Sequence, residues 1–346
     1  MPIEKFTISR NDSEYECFPS MTRLANGRTV IAYRESDAHI AKEYTRIILR
    51  SSDDDGITWS NRFVLVDSVK TDGVLTKYNC PKVQQLKDGR VLIVCDRHPV
   101  PPGEGGEMVD ISRSLFWFSD DNGATWSEPQ VTIVGGIMPD EVVELDNGDW
   151  LLATQWRAPE TGYLTQYVTR SLDKGKTWEA PVVVASKKGY KFCEASILKM
   201  SDGQLVCYMR ENSGMGLPIY KCISKDNGLT WEGPFETLMA AGHRPVAHLT
   251  KSGKVLITYR YQPGGGGPWA KNTFAYLESV DSALEPSRAK QSGAILPVDH
   301  DRSHHSDGGY TGWVETEPGR FLMVNYIMDD APKAQIRGYR FREDDF

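Results

Sequence analysis

Ser52-Asp53-Asp54-Asp55-Gly56-Ile57-Thr58-Trp59 is the first of four copies of one pattern, Ser-x-Asp-x-Gly-x-Thr-Trp; the others run from Ser119 to Trp126, Ser171 to Trp178 and Ser224 to Trp231. Each copy has the chemistry of a tight turn. The Asp accepts hydrogen bonds from nearby backbone, the Gly takes positive φ at no steric cost, and the Trp buries a large face. The tryptophans recur at intervals of 67, 52 and 53 residues, a spacing that fits a unit of four strands with their loops.

A second repeat is interleaved with the first and reads apolar run, turn, apolar run. Its copies centre on Asn26-Gly27, Asp88-Gly89, Asn147-Gly148, Asp202-Gly203, Ser252-Gly253 and Pro318-Gly319. Asn-Gly and Asp-Gly between apolar runs are strong short-range hairpin signals. Six hairpins and four Asp-containing turns predict an all-β chain, a six-bladed β-propeller of four-stranded antiparallel blades whose last two blades lack the second turn. The competing expectation is a β-sandwich with coincidental turns. A propeller must also protect its open edge, and Lys5 to Arg10 is expected to lie beside Gln335 to Phe341, so that residues 4–10 close the ring.

Composition is that of one folded unit spanning residues 1–346: 40% hydrophobic and 25% charged, with no linker or low-complexity tract. A net charge of −7 argues against nucleic acid or an anionic membrane as partner. The start, Met1 to Lys5, has neither the basic nor the apolar region of a signal peptide, the pattern expected of a cytoplasmic protein or of a secreted chain whose leader is gone. Six cysteines without a Cys-x-x-Cys spacing imply no disulfide framework, and Cys95 and Cys207 read as core residues. No cofactor is implied, and nothing here fixes the oligomeric state.

Aligning the hairpins on their glycines shows which residues share one face of the ring. Nine residues before each Gly stand Phe18, Cys80, Pro139, Glu194, Arg244 and Tyr310; seven after it stand Arg34, Asp96, Gln155, Arg210, Arg260 and Tyr326. Structural repeats favour similar side chains at equivalent positions, so Glu, Arg and Tyr converging on an axis predict a polar site. Loops opening on the same face carry Asp37, His39, Arg97, His98, Arg157 and Glu211, whereas the Asp-containing turns fall on the opposite face. His300, Asp301, His304, His305 and Asp307 crowd the loop entering blade six, but without a defined ligand spacing they predict a pocket lining rather than a metal site. Among the tryptophans, Trp156, Trp269 and Trp313 are free to stack on a sugar ring, with Trp269 in a glycine-rich loop that reads as a lid.

The Asp-containing turns resemble the Asp boxes of the sialidase superfamily, and the likeness spans nearly the whole chain at the level of blades. Cys193-Glu194-Ala195-Ser196 through Arg210 resembles the segment bearing that family's catalytic Glu and one arginine of its carboxylate-binding triad; Tyr310 through Gly319 resembles the segment with its nucleophilic tyrosine. The resemblance places the family's acid/base aspartate in the first loop, where Asp37 stands and His39 competes. Two family arginines are missing: the first inner strand reads Cys17-Phe18-Pro19, and Gly264 to Lys271 holds no Arg, which leaves Arg244 or Arg34 as replacements.

The residues support that chemistry independently. A tyrosine is a poor nucleophile at neutral pH unless a neighbouring base takes its proton, and Glu194 can be that base. An uncharged nucleophile suits an anomeric centre bearing a carboxylate, because it avoids bringing like charges together. The expectation is an exo-acting glycoside hydrolase for a terminal acidic or unusual sugar on a glycan, distinct from a standard sialidase. Glu194, Tyr310 and Asp37 are its catalytic candidates. Arg34, Asp96, Arg97, Arg210, Glu211, Arg244, Arg260, His39, His98, Trp156, His305 and Asp307 are its substrate contacts. The alternatives are a lyase on uronic-acid glycans, which would use the same Arg, Tyr and His set, a non-catalytic glycan-binding propeller, and a peptide-binding scaffold.

Overall fold

The computed structural model describes residues 3–100, 112–263 and 270–346, with 99 and 100 described by backbone alone. It is a ring of six antiparallel sheets. Blade one is Tyr15–Arg23, Thr29–Ser36, Tyr44–Ser52 and Phe63–Val69; blade two has its inner strand broken into Leu75–Tyr78 and Lys82–Gln85, both paired to Val91–Val100, then Arg113–Ser119 and Gln130–Val131. Blade three is Val143–Glu144, Trp150–Arg157, Leu164–Ser171 and Val182–Ala185; blade four is Phe192–Lys199, Leu205–Glu211, Tyr220–Ser224 and Glu232–Glu236. Blade five is Gly242–Leu249, Lys254–Tyr261, Asn272–Ser279 and Gly293–His300. Blade six takes Gly308–Glu317, Arg320–Ile327 and Gln335–Arg342 from the end of the chain and Glu4–Ser9 from its start.

That first strand, Glu4–Ser9, pairs with Gln335–Arg342, with Glu4 opposite Arg340 and Ser9 opposite Ile336. Gly338 makes room for it: a Cβ there would lie 2.4 Å from the Phe6 ring. The inner hairpins form where Asn-Gly and Asp-Gly place them. In the first, the Gly27 N–H donates to Leu24 O at 2.9 Å while Asn26 Oδ1 accepts from the Arg28 N–H. The last is tighter, pairing Glu317 with Arg320 across a bulge.

The four Asp-containing turns share one hydrogen-bond pattern. Asp54 accepts from the Thr58 N–H and hydroxyl, and Ser52 Oγ accepts from the Gly56 N–H at 2.8 Å; Asp121, Asp173 and Asp226 repeat it. Thr29 pairs with Ser52, so each box starts beside the hairpin turn of its blade, away from the loops that follow the second strands. The turn glycines press on the preceding blade: a Cβ on Gly56 would strike Leu322 of blade six, and one on Gly228 would meet Leu151 of blade three. Blade five replaces the box with the short helix Val280–Leu284, capped by Ser279.

Between blades lies the core. Ile31, Ile48, Leu322, Val324 and Ile336 pack blade one on blade six, and Val30, Leu49, Ile93 and Leu115 pack it on blade two. Around the axis, polar side chains of one inner strand satisfy backbone N–H groups of the next: Ser20 Oγ takes Val83 N, Asp140 Oδ2 takes Ile197 N and Ser196 Oγ takes Ala247 N. All six cysteines are buried and in no disulfide.

Candidate active site

Each inner strand reaches the site through a break in its ladder. The register shifts between Cys17 and Ser20, Cys193 and Ser196, His243 and Val246, and Gly308 and Thr311. At these bulges Phe18, Glu194 and Arg244 adopt φ of 57°, 50° and 48°, a left-handed conformation that costs about 1–2 kcal/mol for a residue with a Cβ. In blade six the bulge falls one residue earlier, on Gly309, whose φ is 90°. Glycine is required there, because a Cβ would lie 2.7 Å from the Arg260 Cβ. Bulged backbone turns a side chain out of the pleat, and here it turns Glu194 toward blade six.

There the Tyr310 hydroxyl donates to Glu194 Oε1 at 2.6 Å, and Arg210 Nη1 donates to the same oxygen at 2.7 Å and to the Tyr310 hydroxyl at 3.2 Å. Glu194 and Tyr310 are 6% and 7% exposed, so the pair sits deep. Burial alone would raise the Glu194 pKa, but the Arg210 and Arg244 guanidiniums outweigh it and hold the carboxyl below its ordinary value. Burial and the Glu194 charge push the Tyr310 phenol well above its ordinary value, against the pull of Arg210 and Arg260. At rest the proton therefore stays on the tyrosine.

Four arginines surround this pair and differ in what they leave free. Arg260 lies 4.4 Å over the Tyr310 ring, bound to the Gly308 carbonyl and the Tyr326 hydroxyl. Arg34 lies 4.5 Å over Phe18 and is held by Asn79 and the His39 carbonyl. Arg210 also donates to Asn212, and its buried Nε has no partner. Arg244 is 3% exposed, makes one long contact to the Pro139 carbonyl, and leaves Nη1 buried and unpartnered. Glu194 Oε2 is likewise unpartnered.

Asp307 forms a second centre beside the first. It accepts from Tyr15, from Tyr326 at 3.1 Å and from Lys271 at 3.0 Å, and it lies 2.5 Å from His39 Nδ1. Burial raises its pKa, but His39, Arg260 and Lys271 hold it far below the usual carboxylate range. The His39 ring packs edge-on to Phe18 at 5.4 Å, and Phe18 packs on Tyr310 at 5.1 Å, so one aromatic ring separates the two centres.

Several expected contacts lie elsewhere. The Asp37 carboxylate accepts from the Lys42 and Glu43 N–H groups and staples its own loop. Asp96 is wholly buried, binding Asn79 and the Cys80 N–H, and His98 beside it is buried, with burial lowering its pKa. Glu211 braces its loop through the Lys191 and Ser213 N–H groups, and Arg97 is engaged with Tyr78. Trp156 is half-buried, stacked on Tyr167 at 3.7 Å and close to Gly136, whereas Trp313 is core, its indole bonded to the Val246 carbonyl. His305 is exposed against His304. Asp301 caps the Ser303, Asp307, Met328 and Asp329 N–H groups, and among the described residues no three His, Cys, Asp or Glu groups converge. The Gly264–Gly267 loop and Trp269 lie outside the described residues.

Tyr15 and Lys271 escaped the reading of the sequence, since both sit outside the aligned hairpin positions; only their closeness to Phe18 and to the blade-five loop marked them. His243 also lines this face, but burial and then Arg210, Arg260 and Lys271 pull its pKa down to about 2, so it is neutral.

Comparison with known proteins agrees with this architecture. A BNR repeat-like domain is matched over residues 98–265. A sialidase of Paraclostridium sordellii is 24% identical over 260 residues, a match spanning 67% of this chain and 61% of the relative, so the chain covers less than two thirds of that protein. A Dyadobacter fermentans protein of unknown function superposes with a TM-score of 0.79 at 21% identity, over 99% of this chain and 98% of its own. The intramolecular trans-sialidase of Ruminococcus gnavus, solved with oseltamivir carboxylate, superposes with a TM-score of 0.70 at 16% identity, over 98% and 97% of the two chains. Likeness at such identities speaks for the fold.

Proposed function

From a chain that fits a divergent member of the sialidase superfamily, we propose a glycoside hydrolase that releases a terminal acidic sugar from a glycan, with Tyr310 as nucleophile and Glu194 as its base. The observation that carries this reading is the Tyr310 hydroxyl donating at 2.6 Å to a carboxylate that two arginines keep ionised. With a phenol pKa raised by burial, Tyr310 yields its proton only as its oxygen bonds to the anomeric carbon, and Glu194 stands where that proton must go. Arg210 touches both oxygens and stabilises the charge that moves between them.

An acidic sugar is favoured by the guanidinium atoms left over. Arg244 Nη1 and Arg210 Nε are buried donors without acceptors, a costly state that a ligand carboxylate relieves. Arg34 Nε is a third such donor although its Nη1 is bound to Asn79, whereas Arg260 is engaged with the Gly308 carbonyl and the Tyr326 hydroxyl. The depth of the Glu194–Tyr310 pair supports an exo mode, because a chain end reaches it more readily than an internal residue.

The test is a panel of aryl glycosides of sialic, deoxy-keto and uronic acids together with arabinofuranose and rhamnose, plus ultraviolet absorbance of polymer digests. Aryl release from a keto-acid sugar, with a fluorinated analogue trapped on Tyr310 by peptide mass mapping, supports the reading. Release only from neutral sugars rejects the acidic substrate; an ultraviolet signal alone points to a lyase, and silence to a binding module.

A further inference from the structure

We infer that His39, held by Asp307, is the acid/base partner of the Tyr310–Glu194 pair. The inference rests on the hydrolase reading above and assigns the one role that reading leaves open. Asp37, the aspartate of the same loop, is occupied by backbone N–H groups. His39 is two residues further on, 45% exposed at its side chain, and touches the site through Phe18.

The geometry is that of an oriented imidazole. Asp307, ionised, can only accept, so Nδ1 at 2.5 Å is the donor and carries its hydrogen. This leaves Nε2 as the atom that takes up and gives back a proton on the open side. The carboxylate is itself fixed by Tyr15, Tyr326 and Lys271 from blades one, six and five, so the ring is aimed by three blades at once. Holding the tautomer and orientation of a catalytic imidazole is the established use of such an anion.

The step balances. The Tyr310 oxygen bonds to the anomeric carbon and its proton passes to Glu194; the glycosidic C–O bond breaks, and the leaving oxygen takes the proton from His39 Nε2. In the return step a water oxygen attacks the same carbon, gives its proton to Nε2, and the Tyr310 phenolate departs and recovers its proton from Glu194.

The groups facing His39 are Asp307, Tyr15 and Phe18, with Arg34 on its backbone carbonyl and Lys271 and Arg260 behind Asp307. Among them Asp307 is the sole anion in contact with the ring. The deciding variant is His39→Gln, whose amide N–H can still donate to Asp307 and whose urea unfolding midpoint is measured alongside its rates. Its kcat/KM is measured on two glycosides of the sugar the wild type accepts, one with an alkyl aglycone and one with a dinitrophenyl aglycone that needs no proton to leave. The expected result is a loss of about 10²–10⁴-fold on the alkyl glycoside and under about tenfold on the dinitrophenyl one. Asp307→Asn should give the same split between the two substrates, because it removes the anion that holds the ring. Equal losses on both substrates, or none, overturn the acid role and leave the hydrolase reading standing. A wild type silent on the whole panel removes both together.

Discussion

Replacing Glu194 with Gln tests the centre of the site, because it removes charge while keeping shape. The amide oxygen still accepts from Tyr310 and Arg210, whose donors lie 2.6 and 2.7 Å away, but it cannot receive the phenolic proton. A general base is worth about 10²–10⁴-fold, or roughly 3–5 kcal/mol of barrier at 1.36 kcal/mol per tenfold. The fold should suffer as well, since Arg210 and Arg244 lose their shared anion; breaking a buried pair costs about 3–5 kcal/mol, and the retained acceptor puts this case near the lower end. Steady-state rates and urea unfolding of Glu194→Gln, Tyr310→Phe and the double variant separate the two effects. If the residues act as one unit, the double variant is about as slow as either single one. Losses that multiply, or a Tyr310→Phe enzyme with wild-type kcat, would refute the nucleophile–base pairing.

Two further outcomes concern stability. Glu16 is buried with Oε2 unpartnered, and burial, chiefly, raises its pKa from 4.5 to about 7. The folded state therefore binds the extra proton, and its contribution is complete below pH 4.5 and lost as pH rises through 7; at 1.36 kcal/mol per unit this is roughly 3 kcal/mol. Glu16→Gln should flatten the pH dependence of unfolding across that window, and an unchanged slope would reject the assignment. At the ring closure, Phe6 lies across Gly338 with the Arg340 guanidinium 4.3 Å over its ring. Phe6→Ala should lower the unfolding free energy by about 1–3 kcal/mol, and an unchanged denaturant midpoint would mean that the first strand does not hold the ring.

The architecture was legible because it repeats. Four Asp-containing turns and six hairpin glycines are local signals, each sufficient for its own turn, and their spacing counts the blades. The axial residues follow from the same spacing, which puts Glu194 and Tyr310 on one face of the ring. What spacing could not convey was commitment. Asp96 and Arg210 hold the same aligned position, yet one is consumed by Asn79 and the Cys80 N–H while the other keeps a free donor. Asp37 and His39 share a loop, and only the fold shows that the first is bound to its own backbone and the second to Asp307, 268 residues away in the chain. Tyr15 and Lys271 were invisible because cross-blade contacts leave no periodic trace.

The breaks in the inner ladders have a consequence for how such a ring changes over time. Phe18, Met138, Glu194 and Arg244 each sit at the axis on left-handed backbone of their own blade, so a substitution there leaves the backbone of the other blades in place even where side chains meet across the axis, as Glu194 meets Tyr310. Chemistry can then be rewritten one blade at a time: Phe18 or Met138 exchanged for a charged residue alters which ligands are welcome without renegotiating the ring. Blade six is the exception, because its seat is a glycine pressed against Arg260 and admits no such exchange. Four seats that carry a side chain and one glycine seat next to the tyrosine amount to a scaffold on which the Phe18 and Met138 positions can drift while the Glu194–Tyr310 pair stays in place.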